Sequence, residues 1–364
     1  MKNDSAASEV LTAGIESVPA DVLTNTKKEF ALPEGNSKWF FGTSGKTTFI
    51  GAAIFLLAIC FLDSFTPVKV IPAYVKHILV SCLIYAILAL GLNFVSGYIG
   101  QTSLGHAAFF GIGAYGTAVL MKYSGMNFWL TIPVAACIAA LAALPLAASA
   151  LRVKGSFLVV ITYGFGEVLR YVAINTDSLG GSSGIPGIKV PTIFGIKMSK
   201  IGPTGKEGYL ILCFLIVALL AFFMNRIEKS RTGYAFAAIR EDEIAAVAMG
   251  IHTKYYKILA FVISAFICSI AGSIQVAYSS FVSPELLTST QSILILTMVI
   301  VGGRRSIKGA ILGAGLMTIL PEILHSLKDA IGLSFDPWYI LYGLILVIVM
   351  RVRPQGFWGN SSDA

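Results

Sequence analysis

Apolar runs, each interrupted by a short cluster of glycine, proline or charge, recur along the chain at 49–62, 76–96, 104–121, 128–150, 156–174, 209–224, 258–280, 290–303, 309–325 and 338–350. A bilayer core of about 30 Å takes about 20 helical residues. Inside lipid the backbone must find its partners within the segment, so each run predicts a helix. Several runs are shorter than a span and rich in Gly and Pro, as in broken helices or helices packed steeply against protein. Two of them, 104–121 and 290–303, are open to a re-entrant reading. The pattern predicts an all-α polytopic membrane protein with about ten transmembrane or partly spanning helices.

Composition agrees: 56 % of residues are hydrophobic and 13 % charged, with a mean hydropathy of +0.79. Soluble domains carry roughly 25 % charge, so a soluble enzyme, a disordered chain and a disulfide scaffold are all excluded. The five cysteines, Cys60, Cys82, Cys137, Cys213 and Cys268, fall in apolar runs without metal-ligand spacing and read as small buried hydrophobes. The net charge of +8 is dispersed between apolar runs and forms no nucleic-acid patch. It reads instead as orientation. With a cytoplasmic N-terminus, thirteen loop Lys and Arg plus five tail lysines lie inside and eight lysines outside, and every loop arginine is inside. Residues 1–48 read as a polar, disordered cytoplasmic tail without an apolar run at the start, and 351–364 as a cytoplasmic C-terminal tail.

Two phosphate-like motifs are decoys. Gly111-Ile112-Gly113-Ala114-Tyr115-Gly116 lies in the middle of an apolar run, where no strand precedes it. A dinucleotide site needs that strand, so these glycines predict close helix contact. Gly42-Thr43-Ser44-Gly45-Lys46-Thr47 ends like a P-loop, but Phe40 stands where its first glycine belongs. His77, His106, His252 and His325 show no ligand spacing, and nothing suggests a catalytic set or a metal site.

Two loops are long. Residues 175–208 form an outer loop with Gly180, Gly181, Gly184 and three prolines; 225–257 lie inside and hold most of the charge. Within the latter, residues 240–251 predict one short helix. Its first turn is acidic, Ala and Met follow, and Gly250 is a C-cap. Ile244, Val247, Ala248 and Ile251 form an i, i+3, i+4, i+7 apolar stripe. Such a stripe suits a partner's groove or a membrane surface.

Ala245-Ala246 followed by Gly250 resembles the coupling loop of bacterial ABC importer permeases, with the glutamate displaced to Glu243 and Ile244 intervening. The likeness extends over about residues 75–358. Gly97-Tyr98-Ile99-Gly100-Gln101-Thr102-Ser103-Leu104-Gly105-His106 and the run to Tyr115, Gly164-Phe165-Gly166-Glu167-Val168-Leu169-Arg170, Arg231-Thr232-Gly233 with Ala238 to Glu243, and Arg353-Pro354-Gln355-Gly356 resemble the branched-chain amino acid permeases of the LIV-I type, the M type above all. This implies a many-helix, type II importer-like fold working with an H-type permease, two ABC ATPase subunits and a periplasmic or lipid-anchored binding protein. It also implies a bacterial inner membrane and leucine, isoleucine or valine as cargo. ATP would sit on the partners and no cofactor on this chain. Arg240, Glu241, Asp242, Glu243, Ala245, Ala246 and Gly250 would then couple to the ATPase.

Pathway or gating candidates are Asn93, His106, Tyr115, Glu167 and Arg170. Glu167 and Arg170, at i, i+3, predict either a buried pair locking their helix or a contact for the substrate's charges. His106 predicts a polar cap to the helix it opens, or a ligand. Asn93 predicts a bond across helices. Pro321-Glu322 predicts a kink with a partner for the carboxylate, and Gly309-x-x-x-Gly313 a close-packing face. Rival readings are a permease for urea or another small solute, and an ion-coupled secondary transporter working alone.

Overall fold

The computed structural model describes residues 72–331 except 152, 154, 194–195 and 201–203, together with 343–344, 347–348, 351 and 356–357. The N-terminal tail, the run at 49–62, the P-loop-like motif, Arg152, Lys154 and most of 338–364 lie outside these described residues, as does the side chain of His325.

Eight long helices run through the described residues: α1 Ala73–Asn93, α2 His106–Tyr123, α3 Phe128–Ala150, α4 Ser156–Asn175, α5 Glu207–Glu228, then α8 Thr253–Ser279, α9 Ser289–Gly302 and α10 Ile307–Ile331. Two short helices, α6 Arg231–Glu241 and α7 Glu243–Ala248, lie between α5 and α8. Six of the helices are long and apolar enough to cross a membrane. The helices overrun the apolar runs at several ends. Lys254, Lys257 and Glu228 are polar yet helical, because the backbone ladder continues into the interface where side chains reach water or a partner. At about 1.5 Å per residue, the 14 residues of α9 reach only about 21 Å. That length falls short of a bilayer core.

α8 is the central post, with α1, α2 and α3 packed around it. Small residues set this packing. A Cβ on Gly113 would run into the Ser269 backbone, and one on Gly272 into the Phe110 carbonyl. Each glycine of the 111–116 motif meets a different neighbour: Gly111 the Leu287 side chain, Gly113 Ser269, and Gly116 Ala135. The motif is a three-way packing face. Gly309 and Gly313 bring α10 against Gly302 of α9 in the same manner. Polar side chains then bond across the seams. Ser264 donates to the Gly91 carbonyl at 2.6 Å, and Thr117 donates to Ser273 Oγ at 2.8 Å. Cys82, Cys213 and Cys268 are buried, but Cys137 is exposed on α3. An outward position in a membrane helix is itself apolar, so a small hydrophobe there needs no cover from its own chain.

One end of the bundle carries the α6–α7 segment, with Arg240, Arg304 and Arg305 close together. At the other end the 175–208 loop is fastened down. β1 (Ile185–Pro186) pairs antiparallel with β4 (Phe281–Val282) just beyond α8, and β2 (Thr192–Ile193) pairs with β3 (Ile196–Lys197). Lys76 Nζ lies 2.8 Å from Glu207 Oε1, with side chains 1 % and 6 % exposed. That carboxylate also accepts from Thr204 Oγ1 at 2.6 Å and Lys206 N–H at 2.9 Å, so the buried charge is fully bonded. Pro321 stands inside α10, and the Glu322 beside it accepts from the Tyr74 hydroxyl.

Candidate functional site

The basic end carries the 225–257 loop, and its local chemistry departs from the single helix expected over 240–251. Asp242 breaks it. Its backbone is extended, with φ −152 and ψ 114, and its carboxylate accepts from the N–H groups of Ile244 at 2.7 Å and Ala245 at 3.1 Å. An aspartate in that position starts a helix afresh by satisfying donors that have no intrahelical partner. The end of α7 is a complete Schellman closure. Gly250 has φ +81, its N–H donates to the Val247 carbonyl, and Ile251 N–H donates to the Ala246 carbonyl, both at 3.0 Å. Gly250 is therefore the C-cap the sequence predicts.

Capped at both ends, α7 shows apolar side chains outward: Ile244 is 75 % exposed, Val247 56 % and Met249 83 %. The stripe partly rotates from the expected set, since Ile251 is half-buried and Met249 takes its place. Ala245 and Glu241 are exposed, whereas Ala246 is buried against its own chain. Glu243 turns inward to Lys257 of α8, with Oε1 2.6 Å from Nζ. Sequence reading passes over Lys257, but a signal for it exists: Thr253, Lys257, Ala260, Phe261 and Ser264 share the buried face of α8 at helical spacing.

α6 enters the membrane domain through Arg240. Residues Phe94–Tyr98 extend α1 as a π-helical turn. Arg240 Nη1 donates to the Gly97 carbonyl of that turn at 3.2 Å, and the Arg240 stem lies over Gly100. Asn93, fully buried, bonds to the turn between α9 and α10 and not, as expected, to a neighbouring helix. Its Oδ1 accepts from Arg305 N–H at 3.0 Å, and its Nδ2 reaches the Ser306 carbonyl at 3.5 Å. Arg305 is held at φ +64, one of two non-glycine residues in left-handed backbone among the described residues. Tyr98 donates to Glu228 at 3.4 Å. Burial, with the neighbouring Arg240 guanidinium second, pushes Arg304 below the ordinary guanidinium range. Gly356, of the C-terminal Arg-Pro-Gln-Gly run, lies against Gly303 in the same turn.

The remaining candidates sit in the membrane helices. Arg170 Nε donates to Glu167 Oε2 at 2.9 Å, so the pair forms, but the side chains are 28 % and 19 % exposed and the pair is not sealed inside the chain. It lies on α4, where Phe157, Val160, Val168 and Tyr171 are exposed and a Cβ on Gly164 or Gly166 would meet nothing. His106 opens α2 yet caps nothing. Gly105 is the N-cap residue, and His106 Nε2 lies 2.7 Å from Ser264 Oγ instead. Because Ser264 gives its own proton to Gly91, His106 donates through Nε2, and its Nδ1 is left with no hydrogen-bond partner. Tyr115 is buried, its hydroxyl likewise unpartnered. Among the described residues no group of His, Cys, Asp or Glu is placed to hold a metal.

Comparison with known proteins gives this architecture its context. The family described as "Branched-chain amino acid transport system / permease component" matches residues 74–350. The chain is 36 % identical over 293 residues to the high-affinity branched-chain amino acid transport system permease protein LivM of Escherichia coli, covering 75 % of this chain and 67 % of that one. LivM of Salmonella typhimurium matches equally well. The corresponding permease protein LivH of Escherichia coli is 26 % identical over 297 residues, covering 76 % of this chain and 91 % of its own. No solved structure matches the chain. Multi-pass helices, a capped loop at the basic end and a family match across the whole helical region agree: the chain belongs to the permease components of branched-chain amino acid transport systems.

Proposed function

We propose that this chain is the M-type transmembrane permease subunit of a bacterial ABC importer for leucine, isoleucine and valine. It lies in the inner membrane with both termini cytoplasmic. The similarity to two LivM proteins, 36 % over 293 residues, carries the reading. A second permease of the H type completes the pathway, two ATPase subunits bind and hydrolyse ATP, and a binding protein delivers cargo at the outer face. The chain itself makes and breaks no bonds and holds no cofactor.

Two features support the division of labour. Ile244, Val247 and Met249 form a rigid apolar patch at the basic end, suited to a groove on an ATPase subunit. Arg240, Glu241, Asp242, Glu243, Ala245, Ala246 and Gly250 build and orient that patch. On α4, the open glycines and the Glu167–Arg170 pair suit a face shared with the sister permease along the pathway. There the pair offers both charges to a zwitterion, while apolar walls accept its side chain. The test is uptake into vesicles holding the complete complex, with ATP inside the cytoplasmic face. Saturable, ATP-dependent leucine uptake, displaced by isoleucine and valine but not by urea, is expected. Uptake of urea, or leucine uptake driven by an ion gradient without ATPase subunits, would overturn the proposal.

A further inference from the structure

Two polar contacts tie the loop at the basic end to different helices of the membrane domain. α7 is tied to α8 by Glu243 and Lys257. α6 is tied to α1 by Arg240, whose guanidinium reaches the Gly97 carbonyl. The second tie lands on unusual backbone. The i→i+5 pattern of Phe94–Tyr98 leaves the turn one residue looser than an α-helix, a form frequent at functional sites. Gly97 is required there, because a Cβ would collide with Asn93 and with the backbone of Arg305. Through Asn93 the same turn holds Arg305 at φ +64 and the Ser306 carbonyl, which form the link between α9 and α10. Interfaces of this kind move as units between discrete arrangements.

We propose that Arg240 is a positioning residue that carries displacement of the coupling loop into the membrane domain, along a route from α6 to the π-turn of α1 and on, through Asn93, to the α9–α10 turn. This rests on the coupling-loop reading above, and it adds a route separate from the α7–α8 attachment. Gly100, with φ +78, leaves room for the Arg240 stem, so the guanidinium is steered onto the carbonyl. Arg240 takes no part in binding the ATPase in this scheme. It transmits what the exposed face of α7 receives.

The experiment uses the complete complex, with both permeases, ATPase subunits and binding protein, in vesicles. Arg240→Ala is expected to leave ATPase subunits bound at wild-type level, to lower leucine uptake at least tenfold, and to lower uptake per ATP hydrolysed by a similar factor. Arg240→Lys keeps a donor and the charge and should recover at least a third of uptake. Asn93→Ala, further along the route, should reproduce the uncoupling. Because misfolding of Arg240→Ala would also lower uptake, the Lys variant and the transport-to-hydrolysis ratio decide the matter. An unchanged ratio in Arg240→Ala overturns the proposal. So does loss of ATPase binding in Arg240→Ala with a normal ratio in the complexes that remain: Arg240 would then be a docking contact, and the importer reading would stand. Failure of wild-type uptake would strike the importer reading instead.

Discussion

Glu243 and Lys257 lie 14 positions apart in sequence and meet at 2.6 Å, with the lysine side chain 3 % exposed and the carboxylate 28 %. The contact ties α7 to α8. Removing it leaves a buried ammonium, which costs about 3–5 kcal/mol when sealed and about 1–3 kcal/mol at this exposure. Glu243→Ala should therefore lower complex abundance, and adding Lys257→Met should restore it. Purified complex yield from the single and double variants checks this; equal loss in both would mean the ion pair does not anchor the helix.

The exposed and buried faces of α7 make opposite predictions. Ile244→Asp and Val247→Asp change outward side chains, so the permease should fold and pair normally while ATPase subunits wash off the membrane. Ala246 is 3 % exposed, so Ala246→Asp buries a charge against the loop's own chain and should lower permease abundance itself. Immunoblots of both subunits in washed membranes separate the two results.

Gly250 sits at φ +81 with open space around its Cβ position, so its constraint is the backbone alone. Gly250→Val should cost about 1–2 kcal/mol by forcing a β-branched residue into left-handed backbone. Loosened docking follows, and ATPase recruitment is expected to fall partway, less than in Val247→Asp. Recruitment at wild-type level would show that the Schellman closure is dispensable.

Two glycines in membrane helices should part company under the same change. Gly113→Ala drives a methyl into the Ser269 backbone and should cost about 1–3 kcal/mol, seen as lower thermal stability in detergent. Gly164→Ala meets nothing and gains about 1 kcal/mol of helix propensity, so stability should hold or rise. Gly164→Trp should then leave abundance intact and block uptake, if α4 faces the pathway.

The Glu167–Arg170 pair is partly open, so Arg170→Leu should lower abundance by less than a buried pair would demand. Uptake should fall at least tenfold. Should abundance collapse while uptake per complex stays normal, the pair is a brace and not a pathway element.

The helical frame was legible because lipid imposes it: each run of apolar residues long enough to cross must close its own hydrogen bonds, and 128–150 matches α3 residue for residue. Gly250 was legible because a glycine after an apolar stripe has few other uses. Asp242 departs from the sequence expectation for a physical reason. An aspartate complements a helix dipole inside the first turn and caps the helix just before it, and sequence alone shows only that it is near the start. Lys76 and Glu207 are 131 residues apart, and the pairing of the two exists only once α1 and α5 are side by side. The π-turn at Phe94–Tyr98 shows no periodicity of its own either, and the Asn93 that precedes it bonds to a turn more than two hundred residues later.

α8, the central post, is also the latecomer during synthesis. His106 waits for Ser264, and the two are separated by 158 positions; Thr117 waits for Ser273, 156 positions on. At about 5–20 residues per second, the partners of these two side chains emerge from the ribosome about 8–30 s after them. The first half of the chain therefore cannot rest in lipid as a finished unit.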